Sequence, residues 1–391
     1  MRESIRSFKF SSRNFLELSW IFIFLFILIE RLGILLEFYD SLPKSLLLNL
    51  KYSAVLLCLF AVFTRNRCKA TKLQTYLLAS LSMILLISLL NINNYGSVAN
   101  FQEAISWLYV FMNALLVGTD YQLLVRLLLY ANSFSLFSIF LGEKAWSKDD
   151  RLQFLDLPGR LTGLFGQPNV TALCAAFTIL CLNRKHRKHF GFHLLIATIV
   201  LLLTASLTVI FGILFAMLVV LSYRYIGKTV ALLSSFSILV FSVVYPFTLR
   251  ESEVNFLTAN QFTGRVAIWG WTKNVITTPG FKPNLNLFNE HLSSLSSHIP
   301  WFHAHNQFLM NWATGGLVMA TFGVTLPLIL IVLAFNQDER LKTGVAAIII
   351  LVVNLSFEVP LFLDKLDART LLLVLVIHKV SEGTKTKGLR L

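Results

Sequence analysis

Charge is scarce in this chain. Acidic and basic residues together fill 14% of its 391 positions, against 56% hydrophobic residues and a mean hydropathy of +0.69, and that poverty excludes an ordinary soluble domain. Cysteine is sparse too. Cys58, Cys68, Cys174 and Cys181 lie in or beside apolar runs without CxxC spacing; they offer neither a disulfide framework nor a zinc set and read as packing residues. Internal repeats and low-complexity linkers are missing, which weakens an inverted-repeat transporter reading. Acidic residues are the rarer sign, 20 against 34 basic ones, for a formal net charge of +14. The basic residues stand in short clusters between apolar runs rather than along one face, so they fit membrane orientation and give no reason to expect nucleic acid.

What is present is a series of apolar runs near 15–36, 45–63, 73–90, 104–118, 121–141, 168–183, 190–204, 207–223, 229–247, 306–335, 345–362 and 370–380. At about 1.5 Å per residue, helices of this kind cross a hydrocarbon core about 30 Å thick and satisfy their own backbone polar groups inside it. The expected fold is therefore all-α: one integral membrane domain over 1–391 with about 12 transmembrane helices. The start, "MRESIRSFKFSSRNFLELSWIFIFLFILIE", is basic and then apolar with no small-residue cleavage site behind it, and reads as a retained first span. Placing it in the cytoplasm puts "TRNRCKATK", "NRKHRKH", "RYIGK", "DERLK" and the tail "SEGTKTKGLRL" on the same side, as the positive-inside rule asks. Both termini are then cytoplasmic. Two substantial segments, 142–167 and the larger 248–305, face away from the cytoplasm, and the larger is expected to carry short helices.

Three segments stand out from the apolar background. In "GRLTGLFGQPNVTAL", Arg160 is followed by Gly163 and Gly166, which permit tight turns, and by Pro168 and Asn169 at the start of a helix. The first amides of that helix can face an anion, although the same residues also suit a plain loop-to-helix junction. In "TGRVAIWGWTKNVITTPG", Arg265, Trp269 and Lys273 recur at helical spacing. They predict a short amphipathic helix with tryptophans at headgroup depth, and Arg265 adds a planar fork suited to phosphate oxygens. In "SHIPWFHAHNQFLMNWATGGLVMA", His298, His303 and His305 precede a long apolar helix, with Asn306 at its mouth. Imidazole, with an ordinary pKa near 6.5, is a useful proton acceptor at neutral pH.

Taken in order, "RLTGLFGQPN", "GRVAIW" and "HNQFLMNWATGGL" resemble the hallmark segments of the O-antigen ligase superfamily of bacterial membrane glycosyltransferases. The resemblance covers the motif region 160–335 and roughly the second half of the chain. The chain departs from the family pattern at two points: "LTASLTVIFG" has Leu207 after Ser206 where the family carries Ser-Arg, and the second segment closes as "TPGFKPNLNLF" rather than glycine-rich. The resemblance implies a site facing away from the cytoplasm in a bacterial inner membrane. There an acceptor hydroxyl of a saccharide or lipid-linked glycan attacks the anomeric carbon of a glycan carried on undecaprenyl diphosphate, and the diphosphate leaves. By that likeness His305 is the base or orienting acceptor for the hydroxyl and Arg265 neutralises the diphosphate. Arg160, Asn169, Asn306 and His303 bind substrate, and neither metal nor cofactor is required.

Two other readings compete. A transporter or flippase shares the many spans and wants ionisable residues at membrane depth, for which Glu30, Arg31, Lys51, Arg126 and Glu358 are the candidates. A metal-dependent transferase using polyprenyl-monophosphate sugars wants carboxylates in the first outer loop, where "LEFYD" offers Glu37 and Asp40.

Overall fold

The computed structural model describes residues 11–65, 72–95, 98–117, 120–147, 157–182, 190–248, 265–280, 283, 306–336, 342–357 and 366–381. Thirteen α-helices lie among them: α1 (Ser12–Leu35), α2 (Lys44–Phe63), α3 (Lys72–Tyr95), α4 (Val98–Leu115), α5 (Gln122–Phe137), α6 (Pro168–Cys181), α7 (Phe190–Thr204), α8 (Leu207–Tyr225), α9 (Lys228–Thr248), α10 (Arg265–Thr277), α11 (Gln307–Phe335), α12 (Lys342–Phe357) and α13 (Ala368–Ser381). Twelve of these overlap the twelve apolar runs, and α10 is the short helix expected around Trp269. Six are long and apolar enough to cross a membrane: α1, α2, α5 with its 3-10 extension to Leu141, α8, α9 and α11. Shorter apolar helices fill α6, α7 and parts of α3 and α12. The chain is a helical membrane protein; among the described residues six helices meet the length and composition of a span, and the expected figure of about twelve is not confirmed.

Local chemistry sets the helix ends. Ser11 caps α1 by accepting from the Asn14 amide, Pro168 opens α6 where a missing N–H costs nothing, and Asn306 caps α11 by accepting from Leu309 N at 3.1 Å. Side-chain size then sets the packing. On α8 the small or slim Thr208, Gly212, Ala216 and Val219 are buried, while Phe211, Leu214 and Leu218 are exposed. That is the pattern of a helix whose bulky apolar face meets lipid and whose small residues let a neighbour approach. A Cβ on Gly212 would stand 3.3 Å from Ile350 Cα of α12. In α13 almost every side chain is buried, and it packs on α1, α4, α5, α6, α11 and α12, as a helix apolar on all sides does at the centre of a bundle.

Two expectations change. The run 306–335 is not one straight span, because α11 breaks at Gly316 (φ 75°, ψ −177°). The amide of Asn311 takes the place a Cβ would occupy on Gly323, twelve positions along. A straight helix would hold these residues about 18 Å apart, so the arm 307–315 folds back along the arm 317–335. Trp269, expected at headgroup depth, is 2% exposed and stands edge-on to Tyr245 at 5.9 Å between α9 and α11. Burying the whole indole against two helices outweighs interfacial anchoring.

Candidate functional site

The first of the three segments folds into a tightly bonded turn. A two-residue strand, β1 (Trp146–Ser147), pairs antiparallel with β2 (Arg160–Leu161), Ser147 opposite Arg160. Thr162 clamps the next step by donating both its backbone N–H and its hydroxyl to Ala145 O at 2.8 Å. The chain then makes one 3-10 turn over Gly163–Phe165, passes through left-handed backbone at Gly166 (φ 70°), and enters α6 at Pro168. Two side chains pin this turn to the bundle: Ser135 accepts from Leu164 N at 2.9 Å, and Thr171 donates to Thr162 O at 2.6 Å.

Arg160 and Asn169, both expected from the resemblance to bind substrate, are hydrogen-bonded to each other. Arg160 is 8% exposed; its Nε donates to Thr204 O at 2.7 Å and its Nη2 to Asn169 Oδ1 at 2.8 Å. Ser206 also donates to Asn169 Oδ1, at 2.8 Å, so one amide oxygen joins β2, the first turn of α6 and the α7–α8 turn. That last turn holds Ala205 at φ 44°, a left-handed conformation that alanine seldom takes. Ser206 is the functional-looking residue that the sequence argument placed only beside a departure from a pattern. Leu207, where that pattern has arginine, is 54% exposed.

The other named residues are placed less fully. Asn306 is completely buried, its Nδ2 donating to Ser242 O at 2.8 Å and Ser356 O at 3.3 Å while its Oδ1 caps α11. Both polar atoms of its side chain are engaged in joining α9, α11 and α12, so its own position is fixed directly after the preceding residue. That residue is His305, which with His303 and His298 lies outside the described residues. Arg265 begins α10, and only its backbone is described. Glu358 and Cys68 also fall outside; Cys58, Cys174 and Cys181 are free thiols, Cys58 accepting from Asn113 Nδ2. Among the described residues no group of three or more His, Cys, Asp or Glu side chains is placed to hold a metal ion, and Glu37 and Asp40 stand exposed.

Glu37 has a partner of another kind, Lys144 Nζ at 2.8 Å. The hydrogen bond from Lys144, then the attraction of its charge, hold the Glu37 carboxyl below its ordinary value. For a depressed carboxylate the stabilisation exists above the range where an unfolded glutamate ionises and disappears as pH falls through the folded value. Glu37→Gln is therefore expected to lower the unfolding midpoint slightly at neutral pH and not at all in acid. Melting both proteins in detergent across that pH range checks it, and a difference that persists in acid contradicts it.

No family model, curated protein or solved structure matches the chain. Arg160, buried and donating to Thr204 O and Asn169 Oδ1, stands beside the first turn of α6, where Gln167 makes no capping bond. Such an arrangement favours an anion with hydrogen-bond acceptors.

Proposed function

We propose that the chain is a multi-pass glycosyltransferase of the O-antigen ligase or polymerase type in a bacterial cytoplasmic membrane, with both termini cytoplasmic. It transfers glycan from undecaprenyl diphosphate to an acceptor hydroxyl on the opposite side. The observation that carries this reading is the order and content of the three segments, "RLTGLFGQPN", "GRVAIW" and "HNQFLMNWATGGL". Support comes from the bonded cluster of Arg160, Asn169 and Ser206, from α10 starting at Arg265, and from Asn306, next to His305, being anchored to Ser242 O. A diphosphate leaves without needing a proton, so the protein's work is to neutralise its charge and take the acceptor's proton. Arginines and one imidazole suffice for both.

The test is transfer by the purified protein in detergent from an undecaprenyl-diphosphate glycan, offered both a second lipid-linked glycan and a lipid A core acceptor. Transfer is expected with either acceptor and to survive EDTA. Loss of activity in EDTA would move the assignment to a metal-dependent transferase, and no transfer to either acceptor would remove it. In a cysteine-free background, a cysteine at position 290 should react with an impermeant thiol reagent from the outside. Labelling only after the inner face is opened would overturn the topology.

A further inference from the structure

We infer that Arg31, near the end of α1, is a ligand for a phosphate or diphosphate group bound over the Gly163–Gly166 turn. Its guanidinium reaches across from α1 to that turn, Nε donating to Gly163 O at 2.9 Å and Nη2 to Lys144 O at 2.9 Å and to Thr162 Oγ1 at 2.6 Å. All three acceptors are neutral. Among the described residues no carboxylate pairs with Arg31; Glu37, a short way along the chain, pairs with Lys144 instead. A side chain 8% exposed thus carries a charge that nothing described balances, an arrangement proteins avoid unless a counter-ion arrives.

The geometry of the third nitrogen gives the direction from which it arrives. Nη1 makes no hydrogen bond, yet it is not sealed from solvent. It lies against Gly166, where a Cβ would come within 3.5 Å of it and meet no other residue within 4 Å. The missing side chain at Gly166 therefore leaves Nη1 uncovered on the side where α6 begins, with its first turn uncapped by Gln167. Three bonds hold the fork rigid and leave Nη1 unbonded, beside Gly166 and not sealed from solvent, as a donor a phosphate oxygen can use. The ligand class is an oxyanion of phosphorus, either the headgroup of a polyprenyl lipid or the free ion.

This assignment deepens the transferase reading by giving the donor's diphosphate a cation from α1, and its test separates the two. Wild type, Arg31→Lys and Gly166→Ala would be purified in nanodiscs, checked for a monodisperse elution profile, and titrated with inorganic pyrophosphate and with undecaprenyl diphosphate. Wild type is expected to bind, and both variants about tenfold or more weakly, since each removes or covers one charge-assisted hydrogen bond. Gly166→Ala serves if Arg31→Lys does not fold: its methyl meets only Arg31, and since φ 70° also strains an alanine there, the elution profile shows that the fold survives before binding is read. Competition by free pyrophosphate identifies a site that reads the phosphates alone; binding of the lipid form only adds the polyprenyl chain to the recognition. Binding unchanged in both variants overturns the role of Arg31 and leaves the transferase reading standing. Wild type that binds neither compound overturns the site as well. Pyrophosphate binding that depends on Arg31 in a protein that transfers no glycan keeps the site and removes the transferase.

Discussion

Replacing His305 by alanine is expected to lower glycan transfer by roughly a hundredfold to a thousandfold while the protein remains inserted and folded. Losing one preorganised group that acts in the transition state costs about 3 to 4 kcal/mol, which is that factor in rate. The fold should survive because the neighbouring Asn306 makes the anchoring bonds through its own amide. Arg265→Lys keeps the charge at the start of α10 but loses the two-pronged geometry, so it too should be impaired, though less than Arg265→Ala. The measurement is turnover of purified variants with the lipid-diphosphate donor. Near wild-type turnover of His305→Ala would leave the histidine segment without a chemical role, and normal activity of Arg265→Ala would do the same for the diphosphate clamp.

Gly163→Ala should be the most damaging single-methyl change to stability in the described part of the first segment. The new Cβ would lie 2.6 Å from Ser135 Oγ, 2.7 Å from Ser135 Cβ and 2.8 Å from Thr171 Cγ2. Both neighbours sit on packed helices, α5 and α6, and neither is the free tip of a long side chain. The backbone at φ 56° adds a left-handed penalty. Overpacking costs about 1 to 3 kcal/mol and the conformation about 1 to 2 kcal/mol more, so a loss of roughly 2 to 5 kcal/mol is expected. It would appear as a lower unfolding midpoint in detergent and as weaker binding over the turn, since Gly163 O also holds Arg31. An unchanged midpoint would mean that α5 and α6 separate more easily than their hydrogen bonds to the turn imply.

Hydropathy located the helices because each apolar run is bounded by charged or turn-forming residues, and Pro168 and Asn306 are end signals that act locally. Tertiary choices were not legible in the same way. Whether Trp269 meets headgroups or Tyr245 depends on where α9 and α11 run, which no spacing within α10 encodes. The pair Gly315–Gly316 is visible in the sequence, yet an apolar run with two glycines reads equally as a straight span. Only the fit of Asn311 against Gly323 decides for a fold-back. Arg31 stood out as a charge in an oily helix, but its partners lie more than a hundred positions away in Lys144, Thr162 and Gly163. Arg160 and Asn169 were predicted from their shared segment, whereas Ser206 joins them through the left-handed Ala205 turn, which local pattern does not announce.

The central position of α13 bears on how the protein is made. The twelve described helices that precede it leave the ribosome first, and several of them, α1 and α4 through α6 among them, have a surface that packs on α13. Until it arrives those surfaces face lipid, one another or an insertion chaperone. Contacts between α1 and α13 join residues more than three hundred positions apart, and closing such a long loop is slow. Assembly therefore has a waiting stage: a set of inserted but unfilled helices, open to misassembly and to quality-control proteases, that becomes one body only when α13 slots into its middle.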